Sequence, residues 1–136
     1  MMAQTITEAS FAATIAGMAD DTAGSFDLSD FDQELHGAPN HAVGTKLLFE
    51  NDRVKVWEIV LEPGQRAPFH WHTHAYFYVC AAPCRVRTRF PNGWFAEGGE
   101  ETGGFAYMEH TPENPGIHDL ENVGTSTVRY TTVELL

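Results

Sequence analysis

Residues 63–80 read PGQRAPFHWHTHAYFYVC, a Pro-Gly turn followed by a run rich in aromatic residues and histidines. Successive side chains of a β-strand point to opposite faces, so alternate residues share one face. If the run is one strand, its first face carries His70, His72, His74, Tyr76, Tyr78 and Cys80. Its second face is apolar and comprises Phe69, Trp71, Ala75, Phe77 and Val79. The alternation predicts a half-buried strand with one histidine face.

The histidine face predicts a metal site. Side chains on the same face lie about 7 Å apart along a strand, and the twist of a sheet lets two imidazoles converge on one ion. Neutral imidazole is the commonest protein ligand for zinc, copper, iron and nickel. Packing alone does not account for three imidazoles in a row on one face.

Beyond residue 41 the chain alternates short strand-like runs with turn residues at intervals of about ten residues. The runs cover residues 46–50, 54–61, 69–80, 85–90, 105–110, 118–122 and 127–136. Glycine and proline mark turns between them, including Pro63-Gly64, Gly98-Gly99, Gly103-Gly104 and Pro115-Gly116. Seven or eight such strands predict an all-β sandwich or barrel, and an eight-stranded jelly roll is the most economical architecture.

The first 41 residues have a different character. Residues 5–19 carry apolar side chains at near-helical spacing after a capping-box pattern, which predicts one short N-terminal helix. Residues 20–41 are rich in Gly, Asp and Ser, so we expect an irregular arm. Residues 1–40 hold seven acidic residues and no Lys or Arg. We therefore divide the chain into a helix with an acidic arm, residues 1–41, and a barrel, residues 42–136. The arm is either a solvated leader or a lid or dimer arm.

Composition narrows the class of partner. A chain of 136 residues with a net charge of −11 and eight Lys and Arg fits one domain without a basic surface for nucleic acid. No apolar run reaches the roughly 18 residues of a membrane span, and residues 1–10 lack the basic start of a secretory signal. We expect no membrane partner and a cytoplasmic location. Cys80 and Cys84 form a poor zinc signature, and we expect two reduced thiols.

Two motifs carry a resemblance to a known family. Gly64 followed after five residues by His70-x-His72 resembles the first cupin motif, and Pro115-Gly116 with His118-x-x-x-Asn122 resembles the second. The general look is similar to single-domain cupins labelled as β-alanine-degradation proteins, a label that says little about chemistry. The resemblance implies a cupin double-stranded β-helix, that is, a jelly-roll barrel. It also implies that His70, His72 and His118 bind a divalent metal ion.

One departure from the cupin pattern matters. Where the family places a metal-binding Glu, this chain has Tyr76 or Phe77. The three-histidine set that remains is neutral, keeps the full charge of the ion, and leaves positions for water, dioxygen or a chelating anion. Three-histidine cupins include diketone-cleaving and thiol dioxygenases, so we expect iron(II), with nickel, manganese and zinc as alternatives. Three other readings stay open: His74 is an extra ligand, Tyr76 contributes a phenolate, or no metal binds.

Further pocket residues follow from strand parity. Tyr76 and Tyr107 are predicted to donate a hydrogen bond to a substrate oxygen, against the simpler reading that they pack with their hydroxyls satisfied locally. Glu58 stands alone among valines on its face and is the predicted general base or acceptor behind the ligands. An exposed strand carboxylate is the alternative for Glu58.

Two functions are compatible with the sequence. The first is a metal-dependent enzyme, a mononuclear iron dioxygenase acting on a small carboxylate or diketone-like metabolite. The second is a non-catalytic cupin that binds a small metabolite or a metal. The apolar face of Phe69 and Trp71 predicts a cover, which is either a second sheet or the partner of a homodimer.

Overall fold

The computed structural model describes residues 19–136, and within them ten strands form two antiparallel sheets. The strands are β1 (Ala19–Ser25), β2 (Lys46–Glu50), β3 (Val54–Leu61), β4 (Arg66–His72), β5 (Ala75–Cys80), β6 (Cys84–Arg89), β7 (Trp94–Glu100), β8 (Phe105–Met108), β9 (Gly116–Asn122) and β10 (Val128–Leu135). The first sheet has the order β1-β7-β6-β9-β4 and the second has the order β2-β3-β10-β5-β8. The predicted all-β class is confirmed.

The core lies between the inner faces of the two sheets. On β10, for example, Val128, Tyr130 and Thr132 point inward and are almost fully buried, whereas Arg129 and Thr131 between them are exposed. Apolar and polar residues alternate in the sequence with the same period of two, and this alternation sets which face of each strand is buried. Inward side chains from both sheets therefore enclose the interior of the barrel.

The histidine run is two strands, not one. β4 ends at His72, and after a two-residue bend at Thr73 and His74 the chain enters β5 in the opposite sheet. A bend of two residues preserves the parity of the alternation, because the side-chain period of a strand is also two. His70 and His72 therefore point inward from one sheet, and Tyr76 and Tyr78 point inward from the other.

Two strands were not predicted. β7 includes Gly98 and Gly99, which were predicted as a turn, and β1 has the polar sequence ADDTAGS. β7 pairs with β6 on one side and with β1 on the other, so ladder hydrogen bonds hold the two glycines extended. Tertiary pairing thus outweighs the low strand propensity of Gly and Asp.

The acidic arm is more regular than predicted. Besides β1 it contains a 3-10 turn (Leu28–Phe31) and a short helix, α1 (Asp32–His36). The predicted N-terminal helix falls on residues 5–19, which lie outside the described residues apart from Ala19, the first residue of β1. The division of the chain at residue 41 stays a prediction.

The arm covers the apolar outer side of β4. Phe69 is 1% exposed, although it points away from the core, because the rings of Phe26 and Phe31 lie against it at 6.5 and 5.6 Å. β4 is also an edge strand, and residues of the arm accept hydrogen bonds from backbone amides on its open edge. Glu34 accepts a hydrogen bond from the Phe69 amide at 2.8 Å, and the carbonyl of Asn40 accepts one from the Trp71 amide at 2.8 Å. The cover predicted for Phe69 is therefore the chain's own arm, which protects a sheet edge.

A charged network behind β4 and β9 holds the arm in place. Glu34 accepts two hydrogen bonds from the guanidinium of Arg66, at 2.8 and 2.7 Å. Arg66 also donates to the fully buried Asp119 at 2.6 Å, and Arg89 donates to Asp119 at 2.9 Å and to Glu121 at 2.7 Å. Paired, charge-assisted hydrogen bonds of this kind are stronger and more directional than neutral ones.

We expect Glu34→Ala to release α1 from the barrel at a local cost of about 1.5–3 kcal/mol, the usual worth of a charged hydrogen bond. Hydrogen exchange of the amides in residues 26–36 measures the release. Asp32→Ala, at an exposed site in the same helix, is the matched control and should leave exchange unchanged. Equal exchange in both variants would contradict the assignment.

The same contact has a defined pH dependence. Arg66 holds the pKa of the Glu34 carboxyl below its ordinary value of 4.5. The unfolded chain therefore takes up a proton at Glu34 before the folded chain does, as the pH falls. The stabilisation by Glu34 is complete above pH 4.5 and is lost as the pH falls through the lowered pKa.

The outer face of the second sheet carries several exposed apolar side chains. Phe49 and Phe105 on its edge strands are 55% and 56% exposed, and Val79 is 37% exposed. The predicted homodimer stays a prediction, and this face is where we expect the second copy. Phe105→Glu should shift the molecular mass measured by light scattering from that of a dimer to that of a monomer. A wild-type chain that is already monomeric would refute the predicted homodimer.

Within residues 19–136, no helix is long and apolar enough to cross a membrane.

Candidate metal centre

Two strands of the first sheet bring three histidines together. β4 supplies His70 and His72, and the antiparallel register of β4 and β9 sets His118 directly opposite His70. One ring nitrogen from each of the three lies within 4.8 Å of the other two. In the described part of the chain this is the one group of three or more His, Cys, Asp or Glu residues close enough to share a metal ion.

Backbone carbonyls orient two of the rings. The register of β4 slips between Ala67 and His70, and the carbonyl oxygen of Pro68 in this bulge lies 2.9 Å from Nδ1 of His70. Nδ1 of His118 lies 2.8 Å from the carbonyl oxygen of Asp119. A carbonyl only accepts, so each Nδ1 carries the proton and the lone pair is on each Nε2. Such hydrogen bonds are the usual support of metal-binding histidines.

His72 completes the set in a different way. Its Nε2 lies 3.1 Å from Nε2 of His118, and since the latter has a lone pair, Nε2 of His72 donates in this arrangement. Its buried Nδ1 makes no hydrogen bond to any residue from 19 to 136. A cation on Nε2 of His72 would require the other neutral tautomer, in which the proton that now lies between the two nitrogens sits on the unpartnered Nδ1. The donor set therefore fits a transition metal.

Burial keeps the three imidazoles neutral. It lowers the pKa of His70 to about 4 and lowers the pKa values of His72 and His118 well below the ordinary 6.5. Neutral imidazole is the form that binds metals. At neutral pH the cluster can therefore bind a cation without first releasing protons from charged imidazoles.

A small cavity of about 40 Å³ adjoins the cluster. Its walls are the three histidines together with Val43, Ile59, Tyr76, Tyr78, Leu120, Tyr130 and Thr132. None of these residues is acidic. An ion held by the histidines would thus face an apolar wall with no carboxylate to balance its charge.

Solved structures share this architecture. A cupin domain from Bordetella pertussis superposes with a TM-score of 0.60 at 19% identity, over 72% of this chain and 96% of that one. The chain has the cupin fold. A double-stranded β-helix protein from Klebsiella pneumoniae gives a TM-score of 0.53 at 17% identity, over 81% and 87% of the two chains. A cupin family protein from Methanocaldococcus jannaschii gives 0.53 at 15% identity, over 88% and 93%.

The likeness at these identities extends to the fold alone. No protein-family model matches the chain, and no curated protein matches it in sequence. What the cupin barrel of this chain does must therefore be argued from its own residues.

Tyr76 supports the cupin site by packing. Its ring stacks on the His72 ring with a centroid distance of 3.8 Å, and its hydroxyl donates to Sδ of Met108 at 3.4 Å. Burial raises the pKa of Tyr76, so the phenol stays protonated. This placement does not support a phenolate ligand or a hydrogen bond to substrate. It fixes the plane of the His72 imidazole instead.

Three other predicted residues lie away from the centre. Tyr107 is on the outer face of the second sheet, where its hydroxyl donates to Glu109 at 3.2 Å. Glu58 alternates with the buried Ile59 and so faces outward as well. His74 occupies the bend after β4 and does not belong to the cluster. The strand parity of β8 and β3 thus places Tyr107 and Glu58 on the outer face of the sheet, whereas a role in the site would require the inner face.

His110 is near the centre although its spacing gave no sign of it. It comes from the loop before β9, and its ring centroid lies 6.2 Å from that of His72 and 6.0 Å from that of Tyr76. A Cβ at Gly116 would lie 2.4 Å from the His110 ring, so this close approach requires glycine. The Pro115-Gly116 sequence could have indicated a close contact, but not its partner.

Acid should destabilise the protein through the buried histidines. The unfolded chain binds protons near pH 6.5, whereas burial holds the pKa of His70 at about 4 and those of His72 and His118 below 6.5. Below pH 6.5 the unfolded state binds more protons, so the free energy of unfolding falls as the pH falls. Urea midpoints between neutral pH and about pH 5 measure the slope, and His70→Ala should reduce it. An unchanged slope in that variant would contradict this origin.

Proposed function

We propose that this chain is a metal-dependent cupin enzyme in which His70, His72 and His118 hold one divalent ion, iron(II) in the first instance. The observation that carries the proposal is the convergence of three buried, neutral imidazoles whose ring nitrogens lie within 4.8 Å of one another. Nitrogen ligands with no carboxylate suit iron, nickel or zinc better than magnesium or calcium.

The charge of the site favours an anionic substrate. Three neutral ligands leave the full charge of a divalent ion in place, and no acidic residue lines the cavity. An unbalanced charge in an apolar interior is costly, so a bound anion would be stabilised by the ion that it neutralises. A small carboxylate or the enolate of a diketone meets this requirement.

The size of the site favours a small substrate. A cavity of about 40 Å³ has room for a few water-sized groups, since one such group needs about 10–15 Å³ on this measure. Dioxygen or a fragment of a few heavy atoms fits that volume.

The chain's own residues define the surroundings of the reaction. Tyr76 holds the His72 ring by stacking, and the apolar side chains of Val43, Ile59 and Leu120 limit the room for water beside the ion. Exclusion of water strengthens electrostatic interactions inside a site and prevents side reactions. The ion would supply a Lewis acid and, as iron(II), the electrons needed to activate dioxygen.

The first experiment is elemental analysis of the tag-free protein, followed by oxygen-electrode measurements on the iron-loaded form. Near-stoichiometric metal and oxygen uptake that needs both iron and a small carboxylate or diketone would support the proposal. The zinc-loaded protein is the matched control, because it has the same ligands and no redox chemistry. A wild-type protein that rejects iron, nickel, manganese and zinc would overturn it.

One observation favours a second candidate, a binding module without turnover. The hydroxyl of Tyr76 donates to Met108, and that of Tyr78 donates to Glu100 at 2.9 Å. The hydroxyl of Tyr130 also hydrogen-bonds to Glu100, so all three tyrosines in the wall direct their protons away from the cavity. A protein that binds metal and small carboxylates, yet shows no oxygen uptake and leaves the ligand unchanged, would be such a module.

A further inference from the structure

The two cysteines meet at the end of the barrel away from the metal centre. Cys80 is the last residue of β5 in the second sheet, and Cys84 is the first residue of β6 in the first sheet. The three-residue connection 81–83 crosses between the sheets and brings the Sγ atoms to 3.9 Å. Both are free thiols in this structure, and both are buried.

Of the two cysteines, Cys84 is the one that borders a surface depression. Cys84 contributes to the wall of a surface depression of about 420 Å³, together with Pro83, Arg85 and Gly124. Cys80 is not part of that wall and is 1% exposed, against 6% for Cys84. Because Cys84 borders the depression and Cys80 does not, a reagent in the depression meets Cys84 first. Burial also raises the pKa of the Cys80 thiol to about 12, which keeps that sulfur in its unreactive thiol form.

We propose that Cys80 and Cys84 are a modification site, at which a small hydroperoxide entering through this depression converts the thiol pair into a disulfide that joins the two sheets. The proposal does not depend on the metal centre or on its function.

The chemistry proceeds in two balanced steps. The Cys84 thiolate attacks a peroxide oxygen, forming an S–O bond as the O–O bond breaks, and the alcohol or water that leaves takes up a proton. The sulfur of Cys80 then attacks Sγ of Cys84, so that the S–S bond forms as the S–O bond breaks. The departing hydroxide takes the Cys80 proton and leaves as water. Two electrons pass from the sulfurs to the peroxide.

The geometry requires a small movement. A disulfide has an S–S distance of about 2.05 Å, so the sulfurs must approach by roughly 2 Å from their separation of 3.9 Å. The Cys80 thiol donates to the carbonyl of Ala82 at 2.9 Å, and that hydrogen bond is given up when the bond forms.

The thiol pair also contacts side chains inside the barrel. Sγ of Cys84 lies 3.5 Å from the hydroxyl of Tyr130, which lines the cavity beside the histidines. Tyr130 and Tyr78 both hydrogen-bond to the buried Glu100. The thiol pair thus borders the hydrogen-bond network behind one wall of the cavity.

The test is titration of the folded wild-type protein with hydrogen peroxide, followed by intact mass and peptide mapping without reductant. We expect the loss of two hydrogen masses, disappearance of both thiols, recovery by dithiothreitol, and a peptide that links Cys80 to Cys84. Free thiols after exposure to excess peroxide, or stable overoxidation of Cys84 with Cys80 unchanged, would overturn the proposal.

Single-cysteine variants separate the two roles. Cys80→Ser should stop at a sulfenic acid on Cys84 that dimedone labels, and Cys84→Ser should leave Cys80 unreacted. Equal labelling in the two variants would show that the depression does not direct the reagent to Cys84, and would contradict the proposed order of steps. The wild-type mass measurement decides the outcome even if neither variant folds.

Discussion

His118→Ala is expected to lose the bound divalent ion while keeping the fold. The substitution removes one of the three proposed ligands and leaves the strands in place, because β9 still pairs with β4 and β6 through its backbone. A ligand that binds only the folded state stabilises it by about 2.7–4.1 kcal/mol at 100 to 1,000 times its Kd. The wild type should show that gain with excess metal, and the variant should show none.

The measurement is the free energy of unfolding with and without metal, in parallel with elemental analysis. Taking the difference between the two conditions cancels any cost of the cavity that the substitution leaves. His70→Ala and His72→Ala should behave like His118→Ala. His74→Ala is the matched control, since His74 lies outside the cluster and should preserve the whole gain. Loss of metal in His74→Ala alone would require a different ligand set.

Asp119→Ala is expected to have the largest effect on stability, roughly 3–5 kcal/mol. The carboxylate of Asp119 has no exposed surface and accepts hydrogen bonds from Arg66 at 2.6 Å and from the backbone and side chain of Arg89 at 2.7 and 2.9 Å. Its removal leaves Arg66 with Glu34 alone and Arg89 with Glu121 alone, so two mostly buried guanidinium groups lose the buried carboxylate that they share. A buried charge that loses its partner costs more than the pair itself contributes.

Denaturant unfolding of the metal-free protein measures this effect. Glu50→Ala is the control, because Glu50 forms an exposed ion pair with Lys55 at 3.8 Å and should change stability by at most about 0.5 kcal/mol. Asp119→Asn keeps the shape and one acceptor and should fall between the two. If Asp119→Ala were as mild as Glu50→Ala, the network would not be what holds the arm against the barrel.

The two largest effects are expected at neighbouring positions for opposite reasons. His118 points into the barrel and Asp119 points outward beneath the arm, because successive residues of β9 face opposite sides. His118→Ala should lose the metal ion and keep the fold. Asp119→Ala should lose stability before it loses the metal ion.

The strand pattern and the core of the site could be predicted from the sequence because both depend on local periodicity. The runs 46–50 and 54–61 coincide with β2 and β3, since alternation and turn residues are short-range signals. The inward direction of His70 and His72 follows from the same period of two. The polar strand β1 and the glycine-containing β7 could not be predicted, because their extended form depends on pairing with each other.

By itself, then, the sequence determined the all-β class, the parity of the histidine strand and the identity of a histidine-rich motif, all of which are properties of neighbouring residues. Only the tertiary structure decided which side of the second sheet faces the core, which placed Tyr107 and Glu58 outside. It also folded the acidic arm over Phe69, because the charges of Glu34, Arg66 and Asp119 meet only after distant segments pack. Contacts between segments far apart in the chain leave no periodic signal, so they appear only once the sheets have assembled.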